Sequence, residues 1–239
     1  MTRNMPAVTR NLIGNYPMLA SPIVPAVIPD SAAAVAEFLR VLPGVPELHL
    51  DVVDGLFVPF TSWPYAGGGS PDEVRLVCEA VTLEVDLMVA EPLRAARAWI
   101  AAGADMLVFH IETISVEALR QFAQETAVTI GIAANNDTPN EALLPYLATA
   151  DYVQVMGIAA IGAQGQPFDE RALSRIAWLR TQDTTLVISI DGSVNADTLP
   201  MLVAHKLDRY IVGSAISRAT EPKTAHSIFS KLALQQAVA

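Results

Sequence analysis

The sequence contains a single cysteine, Cys78, among 239 residues, so one chain can build neither an internal disulfide nor a thiolate metal cluster. That usage fits a reducing compartment. Charge is also scarce, at 17% of residues against 52% hydrophobic, a balance far from that of disordered chains and suited to a large buried core. Basic residues are fewest: 15 lysines and arginines stand against 25 aspartates and glutamates, a formal net charge of −10. With no basic stripe to neutralise a phosphate backbone, nucleic acid is not an expected partner. Long apolar runs are missing as well. The stretch MLASPIVPAVIP is interrupted by Pro22, Pro25 and Pro29, and no run reaches the roughly 20 continuous apolar residues that span a bilayer. The opening MTRNMPAVTRNLIGNY carries arginines but no apolar core with a small-residue cleavage site, so it does not read as a secretory signal. Residues 1–18 are expected to form an N-terminal extension, and 19–239 one domain of a cytoplasmic protein.

What is present is a repeat. Apolar, β-rich runs at 19–26, 47–53, 83–89, 106–112, 128–134, 152–158, 185–191 and 209–215 alternate with helix-like segments. Ser31, Pro92, Ser115, Pro139 and Asp169 stand where helices would start. Strands joined by helical crossovers imply a parallel sheet. Eight such units, with no linker or compositional break between them, predict an α/β fold of one (β/α)8 TIM barrel. The glycine run in YAGGGSP after the second strand and the loop GIAAIGAQGQPF after the sixth are candidate lids.

In such a barrel the chemistry lies at the C-terminal ends of the strands. His49 and Asp51 alternate in ELHLDVV and so share one face of a strand. Asp86 follows on the third strand, His110 and Glu112 on the fourth, and Asp191 ends the seventh. Several carboxylates converging on one barrel mouth repel unless a cation or a shared proton relieves them. His49, Asp51, Asp86 and Asp191 are therefore a candidate functional set. His110 reads equally as a hydrogen-bonded core histidine or as a ligand, and Asp54 and Glu112 read as loop or helix-capping groups. Glycines in IDGS and VGSA, after the last two strands, put backbone N–H groups where barrels commonly bind phosphate.

Taken in order, LHLDVVDGLFVPF, VDLMVAEP, FHIET, GIAANNDTP, YVQVMG, GQPF, IDGSVN and VGSAI resemble the ribulose-phosphate 3-epimerase family, from about residue 19 to 217. The resemblance implies a barrel of the ribulose-phosphate-binding type. It also implies an isomerase of carbohydrate metabolism in the pentose phosphate series, which interconverts D-ribulose 5-phosphate and D-xylulose 5-phosphate by moving the C3 proton through an enediolate. Asp51 and Asp191 would be the two acid/base groups. One divalent metal ion, zinc by family, would sit on His49, Asp51, Asp86 and Asp191. Contacts to the substrate and its phosphate fall to Ser21, Met88 and His110 and to the loop residues Gly192, Ser193, Gly213 and Ser214. A homo-oligomer is implied.

The sequence also departs from the family. Asp86 replaces a histidine, which adds negative charge and favours harder ions such as manganese or magnesium. Pro22 fills the slot of a substrate-contacting serine, with Ser21 one position early, and Ser193 replaces a glycine. The loop after the sixth strand lacks an Asn-Pro-Gly run and has an extra residue, while Leu56 and Phe60 replace polar residues. Besides a pentulose epimerase, an epimerase of a six-carbon ketose phosphate such as allulose 6-phosphate fits, and so does a non-catalytic sugar-phosphate-binding homologue. Met88, at the position where related decarboxylases and aldolases have lysine, argues against their chemistry.

Overall fold

In a computed structural model that describes residues 22–236, eight parallel strands close into one barrel in the order of the sequence. The strands are β1 (Ile23–Val27), β2 (Glu47–Val53), β3 (Thr82–Met88), β4 (Met106–His110), β5 (Thr129–Ala134), β6 (Tyr152–Met156), β7 (Ile188–Asp191) and β8 (Arg209–Val212). Around them lie α1 (Ala32–Val41), α2 (Pro92–Ala101), α3 (Val116–Glu125), α4 (Leu144–Leu147), α5 (Arg171–Gln182), α6 (Leu199–Ala204), α7 (Ser214–Ser217) and α8 (Pro222–Gln236). The crossover from β2 to β3 carries only a 3-10 turn, Pro71–Val74. No helix among the described residues is long and apolar enough to cross a membrane. The expected extension at 1–18, the start of the first expected strand and Ser21 lie outside the described residues.

Local chemistry places the elements. Ser31 and Ser115 cap α1 and α3, their hydroxyls accepting from Ala34 N and Ala118 N. Pro92 opens α2, where its missing N–H costs nothing. Asp169 lies one residue before the helix cap, yet its carboxylate accepts from Arg171 N at 3.1 Å. A second device recurs at the strand starts. Asp105, Asp151 and Asp208 precede β4, β6 and β8, and their carboxylates accept from Leu83 N, Ile130 N and Ile188 N at 2.9, 2.7 and 2.8 Å. Each aspartate also donates its own N–H back to the same residue's carbonyl. The clasp at Ile188 helps to explain why β7 starts three residues later than the sequence suggested, since Asp183 turns the preceding chain by accepting from Thr185 N. Replacing Asp151 by alanine leaves the N–H of buried Ile130 without this acceptor, and is expected to cost about 1–3 kcal/mol in urea unfolding.

The outward faces of the strands and the helices enclose the main apolar core, in which Trp99, Leu107, Phe109 and Leu119 are fully buried. The barrel lumen is different. A small cluster containing Val53, Met88, Met106, Val108, Ala133 and Met156 shares it with buried Glu47, His49, Asp51, Glu84, Asp86, His110, Gln154, Ser189, Asp191 and Arg209. So many ionisable groups in one interior must be paired or put to use.

Candidate active site

Strand register brings the site together. Along β2 and β3, His49 pairs with Glu84 and Asp51 with Asp86, so two strands with the same alternation present four polar groups in two steps along the lumen. Glu84 is fully buried below the mouth. It accepts a hydrogen bond from Tyr152 Oη and from Arg209 through Nη1 and Nη2, both at 2.8 Å. Its Oε2 lies 2.5 Å from His49 Nδ1, while Arg209 also reaches Glu47. The guanidinium sits 5.3 Å from the Tyr152 ring centroid. Burial alone would raise the carboxyl of Glu84, but Arg209 and His49 beside it hold it well below the ordinary range. Only Gly131 lets Tyr152 cross the lumen, because a Cβ there would lie 2.3 Å from the phenol ring.

One step toward the mouth, His49, Asp51, Asp86 and Asp191 each offer a ligand atom, all within 4.8 Å of one another. Nε2 of His49 is buried and lacks a hydrogen-bond partner; the nearest carboxylate oxygen, from Asp51, is 3.4 Å away. A buried imidazole nitrogen facing carboxylates fits a divalent cation. Burial would lower the His49 imidazole, yet the carboxylates of Glu84 and Asp51 hold it well above its usual value. Burial pushes both aspartates up. Asp51 rises despite His49, and Asp191, with Asp51 as a further cause, stands well above the carboxylate range. Both carboxyls are pushed up, which suits groups that take up and give back a proton at one site.

Asp51 and Asp191 open into a cavity of about 210 Å³ that is also lined by Met88, Met156, Gly192, Ser193, Gly213 and Ser214. Among the described residues, no lysine or arginine lines it. Ser193 takes φ 55°, the left-handed conformation natural to glycine, at a cost of order 1 kcal/mol. The loop after β6 forms one wall through Gly162–Gln166. Phe57 and Val58 pack against the apolar cluster of the lumen, whereas neither residues 56–60 nor the glycine run at 67–69 lines the 210 Å³ cavity. Phe57 lies 5.4 Å from the ring of His110. A Cβ on Gly162 would come within 2.9 Å of Val58. Phe57 and Val58 thus close over the lumen cluster, while Leu56 and Phe60 are exposed.

His110 is placed differently from a cavity residue. It is fully buried, with Nε2 3.0 Å from Asp86 Oδ1, and it is not among the residues lining the 210 Å³ cavity. Burial would lower it, but Asp86 raises it above its usual value. Asp54 and Glu112 are the capping groups that the sequence suggested: Asp54 accepts from Leu56, Phe57 and Ala90 N, and Glu112 accepts from Asn135 N and Thr138 Oγ1. Sequence reasoning missed Glu84, Gln154 and Arg209. The alternation Glu84, Asp86, Met88 was a usable signal, being the same spacing that marked His49 and Asp51.

A closed parallel barrel with a carboxylate-rich pocket at the C-terminal ends of its strands places the protein among the (β/α)8 enzymes. Solved structures agree on the fold. The 3-hexulose-6-phosphate synthase from Salmonella typhimurium superposes with a TM-score of 0.66 at 16% identity, covering 90% of this chain and 99% of that one. The KGPDC from Streptococcus mutans gives 0.68 at 13%, covering 89% and 97%. The model of the ribulose-phosphate 3 epimerase family matches residues 20–217, and the chain belongs to that family. The protein is accordingly an isomerase. Among relatives, ribulose-phosphate 3-epimerase of Mycobacterium tuberculosis (strain CDC 1551 / Oshkosh) is 29% identical over 208 residues, 85% of this chain and 89% of the relative. LsrE of Salmonella typhi, named as an epimerase, is 31% identical over 223 residues, 87% and 83%.

Proposed function

We propose that the protein is a metal-dependent epimerase that moves the C3 proton of a ketose phosphate, interconverting D-ribulose 5-phosphate and D-xylulose 5-phosphate. The observation that carries this reading is the pair Asp51 and Asp191, presented to one cavity from β2 and β7 within a four-residue ligand cluster. Asp51 takes the C3 proton, the electron pair passes onto the adjoining carbonyl to give an enediolate, and Asp191 returns a proton to the other face of C3. The reverse reaction exchanges the roles. His49, Asp51, Asp86 and Asp191 would hold one divalent ion, which supplies charge neutralisation for the enediolate oxygens. Zinc is the family's ion; the third carboxylate, Asp86, favours manganese or magnesium. The phosphate would be met by backbone N–H groups and neutral side chains of Gly192, Ser193, Gly213 and Ser214, with Met88 against the sugar. Ser21 completes the contact set expected from the resemblance, whereas His110, also expected there, acts from behind Asp86 and not on the substrate.

A six-carbon ketose phosphate is the second reading. The loop after β6, with its extra residue, sets Gln164 between the 210 Å³ cavity and an adjoining one of about 770 Å³, which leaves room beyond a pentulose. Allulose 6-phosphate is the substrate to assay in parallel.

Metal stripping tests the proposal. The stripped protein is expected to be inactive and to recover with one ion per chain. Because Asp191 is pushed up in the metal-free protein, a proton competes with the ion for the site. Apparent affinity should therefore fall as pH is lowered, and metal uptake should release protons into weak buffer. Full turnover in the presence of a strong chelator would count against the metal.

A further inference from the structure

Strand β5 turns the small residues Gly131 and Ala133 toward the lumen opposite Tyr152 and Gln154, so side chains of β6 reach past it to β3. Tyr152 reaches Glu84 in this way, and Gln154 reaches Asp86, its Nε2 donating to Oδ2 at 2.8 Å. From β4, His110 Nε2 lies 3.0 Å from the other oxygen, Oδ1. Asp86, His110 and Gln154 are all buried. With its nitrogen turned to Asp86, Gln154 leaves Oε1 buried without a partner. A buried amide in that position is costly unless its donor matters. One lone pair on each oxygen of Asp86 is thus taken, the carboxylate cannot turn without breaking one of these bonds, and in this setting it offers one oxygen to the four-residue cluster.

We propose that Gln154 and His110 are positioning residues that hold Asp86 as a single-oxygen metal ligand and thereby bias the site toward hard, oxygen-preferring ions. The inference rests on the metal site proposed above. A histidine at position 86 would give these two donors no carboxylate to bind, so the three residues form one unit. Carboxylate ligands suit manganese and magnesium, whereas imidazole suits zinc equally well.

The experiment is calorimetric titration of the metal-stripped full chain with manganese and with zinc, with circular dichroism and melting to establish folding. Gln154→Leu is nearly isosteric and removes the unpartnered oxygen along with the donor. It is expected to weaken manganese binding about 10–100-fold, the usual effect of losing such a partner. Asp86→His should weaken manganese binding in the wild-type background. In the Gln154→Leu background the same change should restore binding and shift the zinc-to-manganese preference toward zinc, a non-additivity that a purely structural role would not produce. A folded Gln154→Leu variant with unchanged manganese affinity overturns the inference while leaving the metal site standing. Absence of binding by the wild type removes the metal reading and this inference together. Should Gln154→Leu fail to fold, His110→Phe and a crystal structure of the manganese-loaded wild type decide. One Asp86 oxygen on the ion, with Gln154 still bonded, supports the inference, and a bidentate Asp86 with the amide turned away overturns it.

Discussion

Asp51→Asn and Asp191→Asn should each reduce epimerisation by about 100-fold to 10,000-fold, the range lost with a positioned proton-transfer group. The two variants should fail in different ways. With Asp51 gone, Asp191 can still remove and return a proton on its own face of C3, so one epimer exchanges that proton with solvent without inverting. With Asp191 gone, Asp51 does the same for the other epimer. Exchange measured separately on each epimer distinguishes two-base chemistry from a single swinging base, which would leave one variant nearly intact. Asparagine keeps the volume and one oxygen of each carboxyl. In the metal-free state it also removes like-charge repulsion from a cluster in which burial and neighbouring carboxylates already push Asp191 well up, so both variants should fold.

The second large effect lies below the site and concerns stability. Arg209 is fully buried against Glu84 and Glu47, and removing one member of such a group leaves uncompensated charge in the interior. Arg209→Met is expected to cost about 3–5 kcal/mol in denaturant unfolding. The pH dependence carries a sign. In the wild type the carboxyl of Glu84 is held below its usual value by Arg209 and His49. Its contribution to stability is therefore present above the unfolded pKa of about 4.3 and fades as pH falls. Burial pushes Glu47 up to about 6 even with Arg209 present, so Glu47 works against stability as pH rises from about 4 to that value. Without Arg209 Glu47 rises further and Glu84 loses a group that holds it down, so the deficit of the variant should be greatest near neutrality and shrink as pH falls and the carboxyls take up protons. A deficit independent of pH would mean that lost packing, not lost charge, is the cause.

The repeat of apolar strands and capped helices was enough to read the barrel. Glu47–Val53 matches the sequence reading residue for residue, because Pro46 and Asp54 bound a strand whose Leu48, Leu50 and Val52 face the helices and whose Glu47, His49 and Asp51 face the lumen. The ends of other strands were less legible. The sequence carries the seventh strand back to residue 185 and the eighth on to 215, but the first is set by Asp208 clasping Ile188 and the second by α7 starting at Ser214. The metal-capable cluster was legible because each member stands between apolar neighbours on a strand. Gln154 and Tyr152 were not, although they alternate equally well, because their role depends on reaching across Gly131 and Ala133 to a strand three places away in the barrel. Register and small side chains on an intervening strand decide that reach, and neither is visible in a single strand's pattern. Of the two expected lids, the loop after β6 lines the cavity and the glycines at 67–69 do not, while Phe57 and Val58 pack on His110 and Gly162, contacts that depend on where the chain passes and not on its glycine content.

The most direct test of the two-carboxylate epimerase is proton NMR of D-ribulose 5-phosphate in heavy water with the purified protein, as isolated and with added zinc or manganese. The account predicts D-xylulose 5-phosphate carrying deuterium at C3, with formation dependent on the ion. A folded, metal-loaded protein that yields neither product nor exchange would contradict it.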